Sequence, residues 1–91
     1  MNKGTTRTLE RIIKGFANHR RLEMLDLLKR VPELSLEDIA EELNIGYMNA
    51  SDHVRKMVLS GLVMKRSDGA HVRHKLTPRG ETILAFCKKL E

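Results

Sequence analysis

Cysteine is almost missing from the 91-residue chain: Cys87 stands alone, which excludes an intrachain disulfide and a multi-cysteine metal cage and suits a reducing compartment. Tryptophan is absent, and Phe16, Tyr47 and Phe86 are the only aromatic residues, too few for a platform on which the bases of a single strand would stack. No apolar run approaches the roughly 20 residues a bilayer requires, so no membrane partner is expected. The opening MNKGTTRTLERIIKG mixes charges with apolar residues and lacks a continuous apolar stretch before a small-residue cleavage site. A cytoplasmic protein is therefore expected. At this length one domain over residues 1–91 is the expectation, and a chain so short hides only about 60% of its unfolded surface, which favours economical packing or a partner subunit.

What is abundant is charge, and its order along the chain matters more than its total. Residues 1–30 carry eight Lys or Arg against three acids, residues 31–52 carry six acids and no base, and residues 53–91 carry nine bases against three acids. With a pI near 9.7, two basic blocks around one acidic segment suggest a molecule with a basic face suited to a polyanion. The plainer alternative is a set of solvated helix faces.

Apolar periodicity divides the chain into five helices and a hairpin. Leu9, Ile12, Ile13 and Phe16 recur at i, i+3, i+4 and i+7, predicting a helix over about 6–17 with Thr5 or Thr6 as its cap. Leu22, Leu25 and Leu28, widened by Met24, Leu27 and Val31, predict a second over 19–30, ended by Pro32. Ser35 followed by Glu37 and Asp38 resembles a capping box and begins a third at about 36–43. Asn44-Ile45-Gly46 leaves room only for a tight turn, with Ile45 plugging the corner. A fourth helix over about 47–60 places Ala50, Val54, Met57 and Val58 on one side and Met48, Asn49, Asp52, Arg55 and Lys56 on the other; Gly61 caps it in the left-handed region.

Beyond Leu62 the period shortens. Residues 62–66 and 71–76 flank Ser67-Asp68-Gly69-Ala70, whose Asp-Gly pair signals a hairpin. Thr77-Pro78 then opens a last helix in which Ile83, Phe86, Cys87 and Leu90 repeat at helical spacing. The fold expected is mainly α with a small β-hairpin: a winged helix-turn-helix of about five helices and a two-stranded wing. The major groove of B-DNA, about 12 Å wide, admits one helix while the preceding helix braces it.

The stretch Asn44 to Val63, with Ser51, His53 and Gly61-Leu62-Val63 at its centre, resembles the recognition-helix signature of the ArsR (arsenical-resistance repressor) family, and Phe16-Ala17-Asn18-His19-Arg20-Arg21-Leu22 is similar to the segment that opens that family's leucine-rich helix. The resemblance spans about residues 12–76, while Leu76-Thr77-Pro78-Arg79-Gly80 is closer to the last helix of MarR and PadR regulators. It implies a transcriptional regulator, most often a repressor. The family's metal sensors carry cysteines in the first helix of the motif or His and acidic ligands in the last; here Leu34-Ser35-Leu36-Glu37-Asp38 and a solitary Cys87 occupy those places, so neither a metal nor another cofactor is expected. His71 and His74, three apart on a strand, fall on opposite faces.

The candidate recognition-helix contacts are Tyr47, Met48, Asn49, Ser51, Asp52, His53, Arg55 and Lys56. Asn pairs with adenine, Arg with guanine and Asp with cytosine, whereas beside phosphates Asp52 repels unless it pairs with Lys56 at i+4. Tyr47 reaches a phosphate or packs inward; His53, on the boundary of the two faces, is structural or phosphate-contacting. In the wing, Lys65, Arg66, His71, Arg73 and Lys75 are expected on phosphates, without base information. The first and last helices have apolar faces that so short a chain has little interior left to cover, so part of that surface is expected to meet a second copy, with Leu9, Ile12, Ile13, Phe16, Ile83, Phe86, Cys87 and Leu90 as the expected dimer interface; the alternative is a monomer that covers both faces itself. A homodimer implies double-stranded DNA with a pseudo-palindromic operator as partner. The alternative is a winged helix used for protein contacts, with the acidic third helix as docking surface. An enzyme is not expected, since no paired carboxylates, Gly-rich phosphate loop, Cys/His dyad or metal triad occurs.

Overall fold

A computed structural model describes residues 1–91 as α1 (Lys3–Phe16), α2 (His19–Arg30), α3 (Leu36–Leu43), α4 (Tyr47–Leu59), β1 (Val63–Asp68), β2 (His71–Leu76) and α5 (Pro78–Lys89). No helix is long and apolar enough to cross a membrane.

Capping decides most boundaries. The hydroxyl of Ser35 accepts from the Asp38 amide at 3.1 Å, and that of Thr77 from the Gly80 amide at 3.0 Å, satisfying donors that the first helical turn leaves unpaired. Asn18 caps α2 through the amides of Arg20 and Arg21. At the N-terminus the expectation is corrected. Neither Thr5 nor Thr6 is the cap: the Asn2 side chain accepts from the Thr5 amide at 2.8 Å, so α1 begins three residues earlier than its apolar spacing predicts. The Thr6 hydroxyl turns back to the Lys3 carbonyl instead.

The turn from α3 to α4 is tight because Asn44 takes φ 53° and ψ 50°, which Asn tolerates better than most side chains. Ile45 packs against the core at that corner. At the other end of α4 the Leu62 amide reaches the Met57 carbonyl and the Gly61 amide reaches Val58, a Schellman closure centred on Gly61 at φ 73°.

The hairpin is antiparallel, with Val63 opposite Leu76 and Asp68 opposite His71. Its turn is therefore Gly69-Ala70, one residue later than an Asp-Gly turn would be. Only Gly69 has positive φ, at 62°, the pattern of a type II′ turn with glycine first. Leu34 bridges to His74 on the free side of β2, lashing the wing to the α2–α3 loop.

The core lies where α2, α3, α4, α5 and the hairpin base meet, and includes Met24, Leu25, Leu28, Ile39, Ala50, Val54, Met57, Leu62, Leu76 and Leu84. Leu22 and Val31, expected in the stripe of α2, lie at its edge and remain exposed. In α1 only Gly15 is fully buried.

Candidate nucleic-acid interface

Burial of Ala50, Val54 and Met57 fixes the rotation of α4, so its opposite side faces solvent over its whole length. Tyr47, Met48, Asn49, Asp52, Arg55 and Lys56 are exposed, while Ser51 and His53 are half-buried along the borders. Tyr47 does not turn into the core. It stands over a crease between α3 and the wing that Lys65 and His71 also line.

Asp52 is held by two cations: Arg55 Nη2 lies 2.7 Å from one carboxylate oxygen and Lys56 Nζ 3.4 Å from the other. The Arg55 hydrogen bond, then the charge of Lys56, keeps the Asp52 carboxyl below the usual carboxylate range. Its partner is thus Arg55 at i+3 as well as the expected Lys56. The pair lies in solvent, so its consequence is orientation: Asp52 offsets the positive charge of α4 and restrains the guanidinium of Arg55.

His53 faces α2. Its Nδ1 is buried without a hydrogen-bond partner, as is Nε of Arg21. Burial, reinforced by the charges of Arg21 and Lys56, pushes the ring below the ordinary histidine value, with Asp52 opposing and His19 adding slightly.

The wing's two faces differ. Pairing places Lys65 beside His74 on one face, and Arg66 beside Arg73 and Met64 beside Lys75 on the other, with His71 opposite Asp68 at the tip. Arg66 bonds Glu33 at 3.0 Å and Arg73 approaches Asp68 at 3.5 Å, so both wing arginines already have carboxylate neighbours. His74 is buried and belongs to the scaffold, leaving His71 alone at the surface.

The expected dimer residues divide into two sets. Ile12, Phe16 and Ile83 lean on the protein's own core. Leu9, Ile13, Phe86 and Leu90 are exposed, Ile13 by 51% and Phe86 by 54%, and Cys87 lies between the two sets.

Sequence reasoning missed a basic cleft behind α4, of about 640 Å³, lined by Arg11 and Lys14 of α1, Arg21 of α2, Lys56 of α4 and Arg79 of α5. Its basic residues are spread along the chain from Arg11 to Arg79, so no local spacing announces it. The nearest signal is the Arg20-Arg21 pair at the start of α2, where a helix favours acids over bases.

A short turn between two helices, the second exposed along its polar side, with a basic two-stranded hairpin beside it, defines a winged helix-turn-helix with α4 in the recognition position. The family model described as a winged helix DNA-binding domain matches residues 18–80, and the chain belongs to that family. No curated protein sequence matches the chain. Among solved structures, the homodimeric winged helix-turn-helix DNA-binding domain Mb0332 of Mycobacterium bovis, a possible ArsR-family transcriptional regulator, is similar at 26% identity. That match covers 96% of this chain and 81% of that one, with a TM-score of 0.87. HlyU from Vibrio cholerae is similar at 25% identity over 99% of this chain and 97% of that one, with a TM-score of 0.83. FabT of Streptococcus pneumoniae, solved in complex with DNA, shares the fold at 19% identity over 76% of this chain and 50% of that one, with a TM-score of 0.69. The ArsR-type resemblance read from Ser51, His53 and Gly61-Leu62-Val63 stands with the Mb0332 match.

Proposed function

We propose that the chain is a homodimeric, sequence-specific regulator of transcription in the cytoplasm that binds a pseudo-palindromic duplex operator and represses by occlusion. The observation that carries this reading is the uncovered polar side of α4, with Asn49, Arg55 and Lys56 in solvent beside a cationic wing. Asn49 and Arg55 read base edges, and Ser51, Lys56 and Tyr47 hold phosphates. Arg55 must leave Asp52 or carry it along to the base, which adds a requirement that only a suitable base pair meets. Lys65, Arg66, His71, Arg73 and Lys75 bind the backbone beside the groove, Arg66 and Arg73 exchanging a carboxylate for a phosphate.

Dimerisation follows from the exposed part of the outer helices. Leu9 and Ile13 on α1 and Phe86 and Leu90 on α5 are unpartnered large apolar side chains, and a two-fold pairing through them sets two α4 helices about one DNA turn apart. Mb0332 is itself homodimeric.

Selection of bound fragments from random duplex DNA tests the assignment. The wild type enriches an inverted repeat; Arg55→Ala relaxes the preference at one position of each half-site, a loss of about 1–3 kcal/mol of discrimination. Arg73→Ala weakens all sequences about equally and lowers the steepness of the salt dependence by about one phosphate per protomer. The opposite pattern reassigns helix and wing. Binding that ignores both sequence and salt overturns the reading in favour of a protein-contact module.

A further inference from the structure

We propose that the basic cleft behind α4 binds a small organic dianion, a phosphate ester or dicarboxylate with one apolar side, and that its occupation weakens the grip of α4 on DNA. Five cationic side chains converge there and no carboxylate lines the cleft. Lys14 leans toward Glu10 at 3.4 Å in open solvent, and Arg79 donates through Nη1 to the Ser60 carbonyl at 3.1 Å. Lys56 shares Asp52 with Arg55. The neighbouring Glu23 is taken by Arg20, and Nε of Arg21 is buried without any acceptor. Cations gathered in a concavity repel one another, so a site of this kind is relieved by an anion carrying more than one charge. Ile12 and Leu59 form its apolar wall, which suits an organic substituent. The groove, about 640 Å³, is open to solvent on one side, so a compact molecule can enter it directly.

The coupling runs through Lys56, which lines the cleft and also stands on the outward side of α4. A dianion bound behind the helix holds that ammonium and cancels positive potential, so DNA and the dianion oppose each other, reciprocally. The opposition rests on the DNA-binding reading above; the anion site does not.

The test uses the full chain with phenyl phosphate, phthalate and inorganic phosphate, each compared with chloride at equal ionic strength, by titration calorimetry and thermal unfolding. At least one of the two organic probes binds in the sub-millimolar range, raises the unfolding midpoint, and binds more tightly than inorganic phosphate. Arg11→Gln, on an exposed stretch of α1, and Arg21→Lys each weaken the probe about tenfold or more, and Arg11→Gln retains wild-type DNA affinity while losing its response to the probe. Probe effects no larger than chloride's, or an undiminished response in Arg11→Gln, overturn the proposal. A tenfold loss of DNA affinity in Arg11→Gln without any probe also overturns it, because the cleft would then hold phosphates of the duplex. Dianion binding in a chain that binds no DNA upholds the site and defeats the regulator reading instead.

Discussion

Asp52 and His53 are adjacent in sequence and answer to opposite pressures. Asp52, among cations in water, has its carboxyl held below the ordinary carboxylate value; His53, half-buried among cations, has its ring pushed below the ordinary histidine value. For His53 the sign follows from linkage. A ring whose folded value lies below the ordinary 6.5 binds fewer protons when folded than when unfolded, so stability is complete above about pH 6.5 and falls as the pH drops from there to the folded value. Denaturant unfolding between pH 7.5 and 5.5 checks it. His53→Gln, which cannot titrate, has a shallower decline than wild type, by at most the ~1.4 kcal/mol per pH unit that one whole proton represents. His19, His71 and His74 remain in both proteins, so the difference isolates one ring. Coincident slopes would mean that His53 protonates as easily folded as unfolded.

The wing shows what an element gains from a single buried side chain. His74 donates its backbone N–H to the Leu34 carbonyl at 2.9 Å, and its ring Nδ1, which must carry the proton because a carbonyl only accepts, meets the same oxygen at 2.9 Å. The Glu33 amide returns a bond to the His74 carbonyl. Strand β2 is thus held on both edges, and a two-stranded hairpin that would be marginal alone becomes fixed relative to α4. His74→Ala removes a buried ring and one of those bonds. Stability falls by about 2–3 kcal/mol, measured by denaturant unfolding, whereas Lys75→Ala next to it stays within about 0.5 kcal/mol. Equal effects at the two positions would show that the lashing is not structural. This anchor was invisible in the sequence because Leu34 and His74 are 40 residues apart. By contrast the buried face of α4 was legible, since Ala50, Val54 and Met57 follow helical spacing within one element, and Ser35 and Thr77 declared their helices by capping chemistry alone. The start of α1 escaped because a polar opening with Gly4 has no period, and Asn2 precedes the apolar pattern. Asp68-Gly69 signals the hairpin, yet the strand register shifts its turn to Gly69-Ala70, a choice that cross-strand pairing makes and local composition does not.

At the scale of the whole molecule, shape and charge make one demand. The chain is elongated, 43 × 28 × 22 Å, with α1 contributing only Gly15 to the fully buried set. Ile12 and Phe16 of α1 lean on the core while Leu9 and Ile13 stay exposed, and on the proposed reading a second copy covers those two. Ile13→Glu combined with Phe86→Glu tests that argument, because both side chains are about half exposed and their loss leaves the core of each protomer intact. Sedimentation equilibrium should find wild type as a dimer and the double variant as a folded monomer with an unfolding transition of similar cooperativity. The DNA consequences follow by arithmetic. A monomer engages one half-site, so it loses the effective-concentration advantage of a linked second site, about a hundredfold or more in affinity for the inverted repeat. It also neutralises half as many phosphates, so the slope of log affinity against log salt falls to about half. A wild-type chain that is already monomeric while binding the repeat, or a monomeric variant with full affinity and full slope, would show that each subunit reads DNA by itself and that the apolar faces of α1 and α5 serve another partner.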